Sequence, residues 1–138
     1  MFQNILLPVD LADRHHAAIT LAAKLASPEA TVTLLHVIET IGELSTGEEQ
    51  NFYRSFKKNS RTFLERLGKQ LEDRKISWRA EILLGRRTSD TVRYATEIGA
   101  DLIILTAPRF DPSNPGANWG SLSFKISMLA QCPVLMVK

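Results

Sequence analysis

Five apolar runs recur along the chain, and the segments between them mix apolar and polar residues. The runs cover residues 5–9, 31–37, 76–84, 102–105 and 134–137. Continuous apolar runs of this kind are typical of strands that are covered on both faces, as in a parallel sheet. The pattern therefore predicts five strands.

Four amphipathic segments separate these runs. Apolar residues at helical spacing predict one helix over residues 17–26 and a long one over residues 48–74. A third helix is expected to end at Gly99, and a fourth to begin at Ser121. In the long helix, spacings of four and seven predict a core-facing stripe formed by Phe52, Phe56, Phe63, Leu67 and Leu71.

Polar residues ahead of three of these helices are candidate N-caps. Asp13 precedes the first helix, Thr88 or Ser89 the third, and Ser121 the fourth. Their side-chain oxygens can accept a hydrogen bond from a free backbone N–H in the first turn. In the fourth helix we expect Leu122, Ile126, Leu129 and Ala130 to face inward.

The order of these elements is β-α-β-α-β-α-β-α-β, without an internal repeat or a linker. Such alternation predicts an α/β fold, with a parallel sheet of five strands and helices on both faces. We expect one domain over residues 1–138. Ligands of open parallel sheets bind beyond the carboxyl ends of the strands, where the strand order reverses. This rule directs attention to Pro8-Val9-Asp10 and to the loop from Thr106 to Gly120.

Composition narrows the range of partners. The chain has 17 Lys and Arg against 15 Asp and Glu, for a formal net charge of +2. This small surplus, without a basic run carrying aromatics, argues against a nucleic-acid partner. The apolar runs are too short to span a bilayer, and the N-terminus does not resemble a signal peptide. We therefore expect a cytoplasmic protein that does not bind membranes.

Several reactive or charged residues are expected to be structural. Cys132 is the single cysteine, and its apolar neighbours suggest a small buried hydrophobe. His15 and His16 lack further ligands at metal spacing, so we expect surface residues and no metal site. Arg86 and Arg87 follow the third strand and could reach an anion, but this edge strand is far from the switch point, so we expect them to be solvated.

The apolar runs and their flanks resemble the universal stress protein family over almost the whole chain. Ile5 to Asp10 resembles the family's first strand, which ends in a similar Pro-Val-Asp. Residues 34–37, 99–104 and 132–137 resemble its second, fourth and last strands. The resemblance implies the strand order 3-2-1-4-5 of the adenine nucleotide alpha hydrolase-like fold. It also makes ATP a candidate ligand, because many members of the family bind ATP through a loop of the form G-x-x-G-x9-G-[S/T].

This loop keeps its length but loses two of its glycines. Counting back from Gly120, Phe110 and Ala107 occupy the glycine positions. Glycine allows positive φ and a close approach of phosphate to the backbone. Prolines at 108, 112 and 115 also lack the N–H that a phosphate would need. We expect a weakened phosphate cradle.

Other parts of the family's site are retained. The resemblance implies a base pocket at Val37, a carboxylate at Asp10 and phosphate contacts at Ser121 and Ser123. The full set of nucleotide-binding residues that it implies is Pro8, Val9, Asp10, Val37, Thr106, Ala107, Arg109, Gly120, Ser121, Leu122 and Ser123. Structural alternatives stay open, since Asp10 could cap a turn and Gly120-Ser121 could only start a helix. Arg109 could be a solvated loop side chain.

The sequence favours binding over catalysis. Asp111 is the only acid in the loop, and no Walker-type Gly-Lys-Ser/Thr is present. We expect a regulatory stress-response domain with weak or absent binding of adenine nucleotide, ATP or AMP, and no required cofactor. The alternatives are a true ATP- or AMP-binding member with slow hydrolysis and a nucleotide-free module that binds another protein.

A homodimer is also expected. Under the family's strand order, the last strand, formed by Val134, Leu135, Met136 and Val137, lies at a sheet edge. An apolar edge strand tends to be covered or paired. Universal stress proteins commonly dimerise through it in antiparallel fashion, and the resemblance implies the same here.

Overall fold

Strands and helices alternate along the protein, for which we analysed a computed structural model. The structure describes residues 1–40, 47–108, 111–114, 116 and 121–138. The elements are β1 (Phe2–Pro8), α1 (His16–Leu25), β2 (Ala26–Glu39), α2 (Gly47–Glu72), β3 (Ser77–Gly85), α3 (Arg87–Glu97), β4 (Leu102–Thr106), α4 (Leu122–Leu129) and β5 (Val134–Val137).

The five strands form a single parallel sheet in the order β3-β2-β1-β4-β5. The fold class and strand order predicted from the sequence are confirmed. The chain first adds strands on one side of β1 and then moves to its other side with β4. The carboxyl ends of β1 and β4 therefore mark the point where the strand order reverses, and a crevice opens there.

The helices bury the sheet on both faces. Alternate residues of β1 point to opposite faces, so Ile5 and Leu7 pack with α1 and α2, while Leu6 packs with α3 and α4. All three side chains are fully buried. This double coverage explains why the strand sequences are continuously apolar and do not alternate.

The long helix α2 confirms only the second half of the predicted stripe, since Leu67 and Leu71 are buried and Phe63 packs against the core. Phe52 and Phe56 are 58% and 42% exposed, so their placement in the core is wrong. The buried positions in the described part of the helix are Tyr53, Ser60, Leu64, Leu67, Gly68 and Leu71.

A polar residue explains the shift of phase. Ser60 is fully buried in α2, and its Oγ donates to the carbonyl of Phe56 at 2.8 Å, so its hydroxyl is satisfied within the helix. A search for apolar residues alone passes over such a core position. Nearby, Gly68 lets α2 lie against the indole of Trp78, which a Cβ would approach to 2.4 Å.

Two of the predicted N-caps are wrong and one is confirmed. In the described structure, α1 begins after His15 and α3 after Arg86, and neither cap residue makes a side-chain capping bond. Asp13, Thr88 and Ser89 therefore do not cap. Ser121 does, since its Oγ accepts from the backbone N–H of Phe124 at 3.3 Å.

The ends of the third and fourth helices also differ in detail from the expectation. At the start of α3, the carboxylate of Asp90 accepts from the N–H of Arg86 at 2.7 Å, so an acid one turn inside the helix takes the place of a cap. In α4, Ile126 is fully buried but Leu129, predicted to face inward, is 54% exposed at the last turn.

No helix in the described part of the chain combines the length and the apolar character that crossing a bilayer would require.

The burial of α2 predicts different costs for two apolar truncations. We expect Leu64→Ala to lower the free energy of unfolding by about 2–5 kcal/mol, because a fully buried leucine leaves a cavity. Phe56→Ala, at a position 42% exposed, should cost about 1 kcal/mol or less. Urea denaturation of the two variants compares these values. Equal losses would contradict the assignment of the buried stripe.

Candidate functional site

A cavity of about 220 Å³ opens at the carboxyl ends of β1, β2 and β4, next to the first turns of α3 and α4. It lies at the reversal of strand order, where the sequence directed attention. The predicted site residues that line it are Pro8, Val9, Asp10, Val37, Thr106, Leu122 and Ser123. The fold thus brings together residues that are more than a hundred positions apart in sequence.

Ala107 lies next to the cavity in sequence but does not line it. Its backbone N–H donates to the carbonyl of Val137 at 2.7 Å, which continues the pairing of β4 with β5. Among described residues other than glycine, only Lys75 has a positive φ, of 61°. Ala107 therefore has ordinary backbone geometry, and its N–H points to the sheet. The N–H of Ala107 is therefore not free to bind a phosphate.

The remaining predicted residues of the loop divide into two groups. Ser121 is the N-cap of α4 and does not line the cavity, whereas Ser123 is buried and does. Arg109 and Gly120, like Phe110, lie outside the described residues, so their predicted roles in nucleotide binding stay predictions.

Asp10 is the most highly connected side chain of the cavity wall. Its carboxylate accepts from Arg14 Nη2 at 2.8 Å, from His15 Nε2 at 2.8 Å and from the N–H of Ala12 at 3.2 Å. Burial by itself raises the pKa of Asp10, but the hydrogen bonds from Arg14, His15 and Ala12 outweigh it and lower the pKa to about 2. Asp10 is therefore ionised at neutral pH.

His15 joins the end of β1 to the end of β4. Its side chain is only 2% exposed, so the expectation of a surface histidine is wrong. Its Nε2 lies 2.8 Å from Asp10 Oδ1, and its Nδ1 lies 2.9 Å from Thr106 Oγ1. Burial is possible because both ring nitrogens have partners. His16, by contrast, is exposed, as expected.

His36 forms the floor of the site on β2. Its Nδ1 donates to the carbonyl of Val9 at 2.8 Å, and its side chain is 5% exposed. Burial lowers the pKa of His36, although the hydrogen bond to Val9 raises it. The positive charge of Arg87 adds to the lowering. His36 therefore favours the neutral form at neutral pH.

Arg87 is exposed, as expected, but the expectation that it lies far from the site is wrong. It stands at the first position of α3 and lines the cavity, and its Nε lies 3.4 Å from the carbonyl of Val37. The carboxyl end of β3 opens on the same sheet edge as those of β1 and β4. Ligands of parallel sheets bind beyond the carboxyl ends of the strands, and this rule, applied to the residues after Gly85, would have identified Arg87.

Arg14 was missed, and His15 was expected at the surface, for a different reason. They belong to the turn between β1 and α1, and no spacing motif marks them. The available signal was the nearness in sequence of two basic side chains to Asp10, whose carboxylate needs partners when it is partly buried.

A second cavity, of about 350 Å³, adjoins the first and shares His36 and Arg87 with it. Its other walls are mainly apolar or aromatic and include the exposed Phe52 and Phe56. The ring centroids of these two phenylalanines lie 4.7 Å apart, in an edge-to-face arrangement. The two cavities therefore have a common wall.

Within the part of the chain that the structure describes, no three His, Cys, Asp or Glu side chains come together in a way that could hold a metal ion.

Solved structures share this architecture. The hypothetical protein MJ0577 superposes with a TM-score of 0.83 at 24% identity, covering 100% of this chain and 96% of that one. A universal stress protein from Archaeoglobus fulgidus in complex with dAMP gives 0.72 at 18% identity, covering 99% and 98%. A universal stress protein family protein from Arabidopsis thaliana with AMP bound gives 0.70 at 16% identity, covering 99% and 91%. They share with this chain the adenine nucleotide alpha hydrolase-like fold.

A comparison with protein families gives one match, over residues 1–138, to the model of the universal stress protein family. Among curated proteins, none matches the sequence significantly.

The lowered pKa of Asp10 predicts an acid-dependent contribution to stability. Because the folded-state pKa of about 2 lies below the ordinary aspartate pKa of 3.8, the contribution is complete above about pH 4 and is lost as the pH falls towards 2. We expect Asp10→Asn to destabilise the protein by about 1 kcal/mol at pH 7, the order expected for a partly exposed ion pair.

Denaturation by urea from pH 2 to pH 7 measures this effect. The difference between wild type and Asp10→Asn should shrink as the pH falls from 4 to 2. Asp13→Asn, an exposed acid of the same turn, is the control and should show little change. A difference for Asp10→Asn that does not depend on pH would show that the carboxylate charge is not the source of stability.

Proposed function

Because this chain belongs to the universal stress protein family, we propose that it is a stress-response regulatory domain that binds rather than catalyses. Its cavity takes the nucleoside part of an adenine nucleotide and holds the phosphates weakly. Relatives crystallised with AMP and dAMP support the choice of ligand class.

The observation that carries the proposal is the position of the cavity. Its walls are the carboxyl ends of β1 and β4, at the reversal of strand order, and it contains seven of the residues that the family resemblance implies. Parallel sheets of this type bind their ligands at this point.

The size of the cavity favours a ring system over a whole triphosphate. Its volume is about 220 Å³. A cavity of roughly 150 Å³ holds benzene, and pockets for drug-sized ligands take up roughly 300–1,000 Å³. A base or a nucleoside fragment fits between these limits, and the phosphates would extend beyond the cavity.

Weak phosphate binding follows from the start of the loop. The N–H of Ala107 is used by Val137 O, so one backbone donor of a phosphate cradle is engaged elsewhere. Free N–H groups at the first turn of α4 favour an anion, but the hydroxyl proton of Ser123 is engaged by the carbonyl of Thr106, and the N–H of Phe124 is engaged by Ser121 Oγ. We therefore propose that ATP gains little affinity over AMP.

The state of Asp10 supports binding over catalysis. A carboxylate with a pKa of about 2 that already accepts hydrogen bonds from Arg14 and His15 is a weak base at neutral pH. Its more suitable role is to orient neighbouring side chains and to accept hydrogen bonds from a ligand.

Calorimetric titration with adenosine, AMP and ATP tests the proposal through two neighbouring arginines. We expect Arg87→Ala to weaken AMP binding roughly three- to tenfold and adenosine binding by less than about twofold, because a guanidinium at the cavity wall interacts with the phosphate. Arg86→Ala is the matched control, since Arg86 is exposed and does not line the cavity.

ATP and AMP should bind wild type with affinities within about threefold of each other. Equal effects of the two arginine substitutions would contradict the role given to Arg87. If neither adenosine nor a nucleotide binds wild type, the proposed function is wrong.

We further propose that two copies of the protein associate through β5. This strand is the last of the sheet, and its four residues are only partly buried. The carbonyls of Pro133 and Val137 accept from the N–H groups of Ile103 and Ala107. Because alternate residues of a strand direct their backbone groups to opposite sides, Met136 directs its N–H and C=O outward, away from β4. An edge with free backbone groups and apolar side chains is suited to pairing with a second copy.

The outward N–H of Met136 provides a specific test. Met136→Pro removes a donor from the free edge while leaving the hydrogen bonds to β4 in place, so we expect a folded monomer. Met136→Ala keeps the N–H and should stay dimeric. Light scattering coupled to gel filtration measures the mass, and circular dichroism checks the fold. A monomeric wild type at micromolar concentration would contradict the dimer.

A further inference from the structure

A chain of three side chains runs along the inner wall of the cavity, from Asp10 through His15 to Thr106. The two links are 2.8 and 2.9 Å long, within the range of good hydrogen bonds. All three residues line the cavity, and the central imidazole is almost completely buried. The positions of the protons in such a chain can be derived from the chemistry of its ends.

The carboxylate end fixes the first proton. Asp10 is ionised at neutral pH and has no proton to donate. The backbone carbonyl of Asp10, which lies 3.1 Å from the same ring nitrogen, is also only an acceptor. His15 Nε2 must therefore carry the hydrogen and donate it to Asp10.

The second proton follows from the first. In a neutral imidazole with a hydrogen on Nε2, Nδ1 carries a lone pair and can only accept. When the imidazole is neutral, as histidine ordinarily is at pH 8, the contact between His15 Nδ1 and Thr106 Oγ1 uses the hydroxyl proton of Thr106. Once this proton is engaged, Thr106 Oγ1 has only lone pairs left to offer a ligand.

The hydroxyl proton of Ser123, at the first turn of α4, is engaged in a similar way. The hydroxyl donates to the carbonyl of Thr106 at 3.3 Å, and Ser123 also lines the cavity. The oxygens of Asp10, Thr106 and Ser123 thus form a wall of hydrogen-bond acceptors. Such a wall repels an oxyanion and favours a group that bears N–H or O–H.

We propose that the Asp10–His15–Thr106 chain fixes the Thr106 hydroxyl as an acceptor and makes Thr106 a specificity-determining residue. It selects a ligand whose buried part presents a hydrogen-bond donor, such as an amino group or a sugar hydroxyl. His15 is the positioning residue, since it takes up the hydroxyl proton. The choice of nucleosides as the ligand class rests on the proposed function, whereas the polarity of Thr106 does not.

The protonation pattern can be measured without any ligand. At pH 8, where a histidine imidazole is ordinarily neutral, nitrogen-15 NMR of the ring should show the hydrogen of His15 on Nε2. Thr106→Val should shift the resonance of Nδ1 by removing the hydroxyl that donates to it, whereas Thr106→Ser should largely preserve it. A hydrogen on Nδ1 in wild type would overturn the proposal.

Selectivity is measured with ligands in which one donor is replaced by an acceptor. We would titrate wild type with AMP, with its 6-methoxy analogue, in which an ether oxygen replaces the 6-amino group and N1 stays an acceptor, and with the 2′-fluoro and 3′-fluoro analogues of AMP. One of these replacements should weaken binding to wild type about tenfold, because two acceptors then face each other without a proton.

The two variants of Thr106 separate the hydroxyl from its packing. Thr106→Val should bind AMP and the discriminated analogue within about twofold of each other, and Thr106→Ser should keep the wild-type preference. The proposal is overturned if no replacement matters to wild type, or if Thr106→Val discriminates as wild type does. If no nucleotide binds, the proposed function fails, and the NMR measurement still decides the polarity of Thr106.

Discussion

The carboxylate of Asp10 connects the two strand ends between which the cavity opens. It stands directly beyond β1, accepts from Arg14 and His15, and through His15 is linked to Thr106 at the end of β4. β1 and β4 are neighbours in the sheet, but the chain passes them in different halves of its sequence. A charge held in a partly buried position must be satisfied by partners close by. In this protein Arg14 and His15, which donate to the carboxylate of Asp10, also line the cavity.

Much of the fold could be predicted from the sequence because burial on both faces leaves a clear mark. Residues 5–9 and 102–105 are continuously apolar, as central strands must be when helices cover both sides. Phase and caps were harder to predict. Ser60 can be buried because its hydroxyl bonds within its own helix, and α1 begins after His15, whose side chain bonds to Asp10 and does not cap the helix. Such choices depend on tertiary contacts.

The candidate site was predicted unevenly for a related reason. Seven residues implied by the family resemblance line the cavity, and they stand at strand ends or at the start of α4, where topology fixes their place. His15 was assigned to the surface and Arg87 was placed far from the site, because sequence spacing does not reveal which side chains line a cavity. Ala107 shows the reverse case. It occupies a glycine position of the expected loop, yet its N–H extends the sheet, and its backbone is not left-handed.

His36 and Arg87 stand between the two adjoining cavities and belong to the wall of each. A molecule that displaces the Arg87 side chain from one side necessarily remodels the surface on the other, where Phe52 and Phe56 face solvent. If a ligand at the strand ends changes the affinity of the aromatic surface for a partner, linkage requires that this partner change the affinity for the ligand by the same factor. Through His36 and Arg87, the binding of a small molecule in the first cavity and the binding of a macromolecule at the aromatic surface can therefore be thermodynamically coupled.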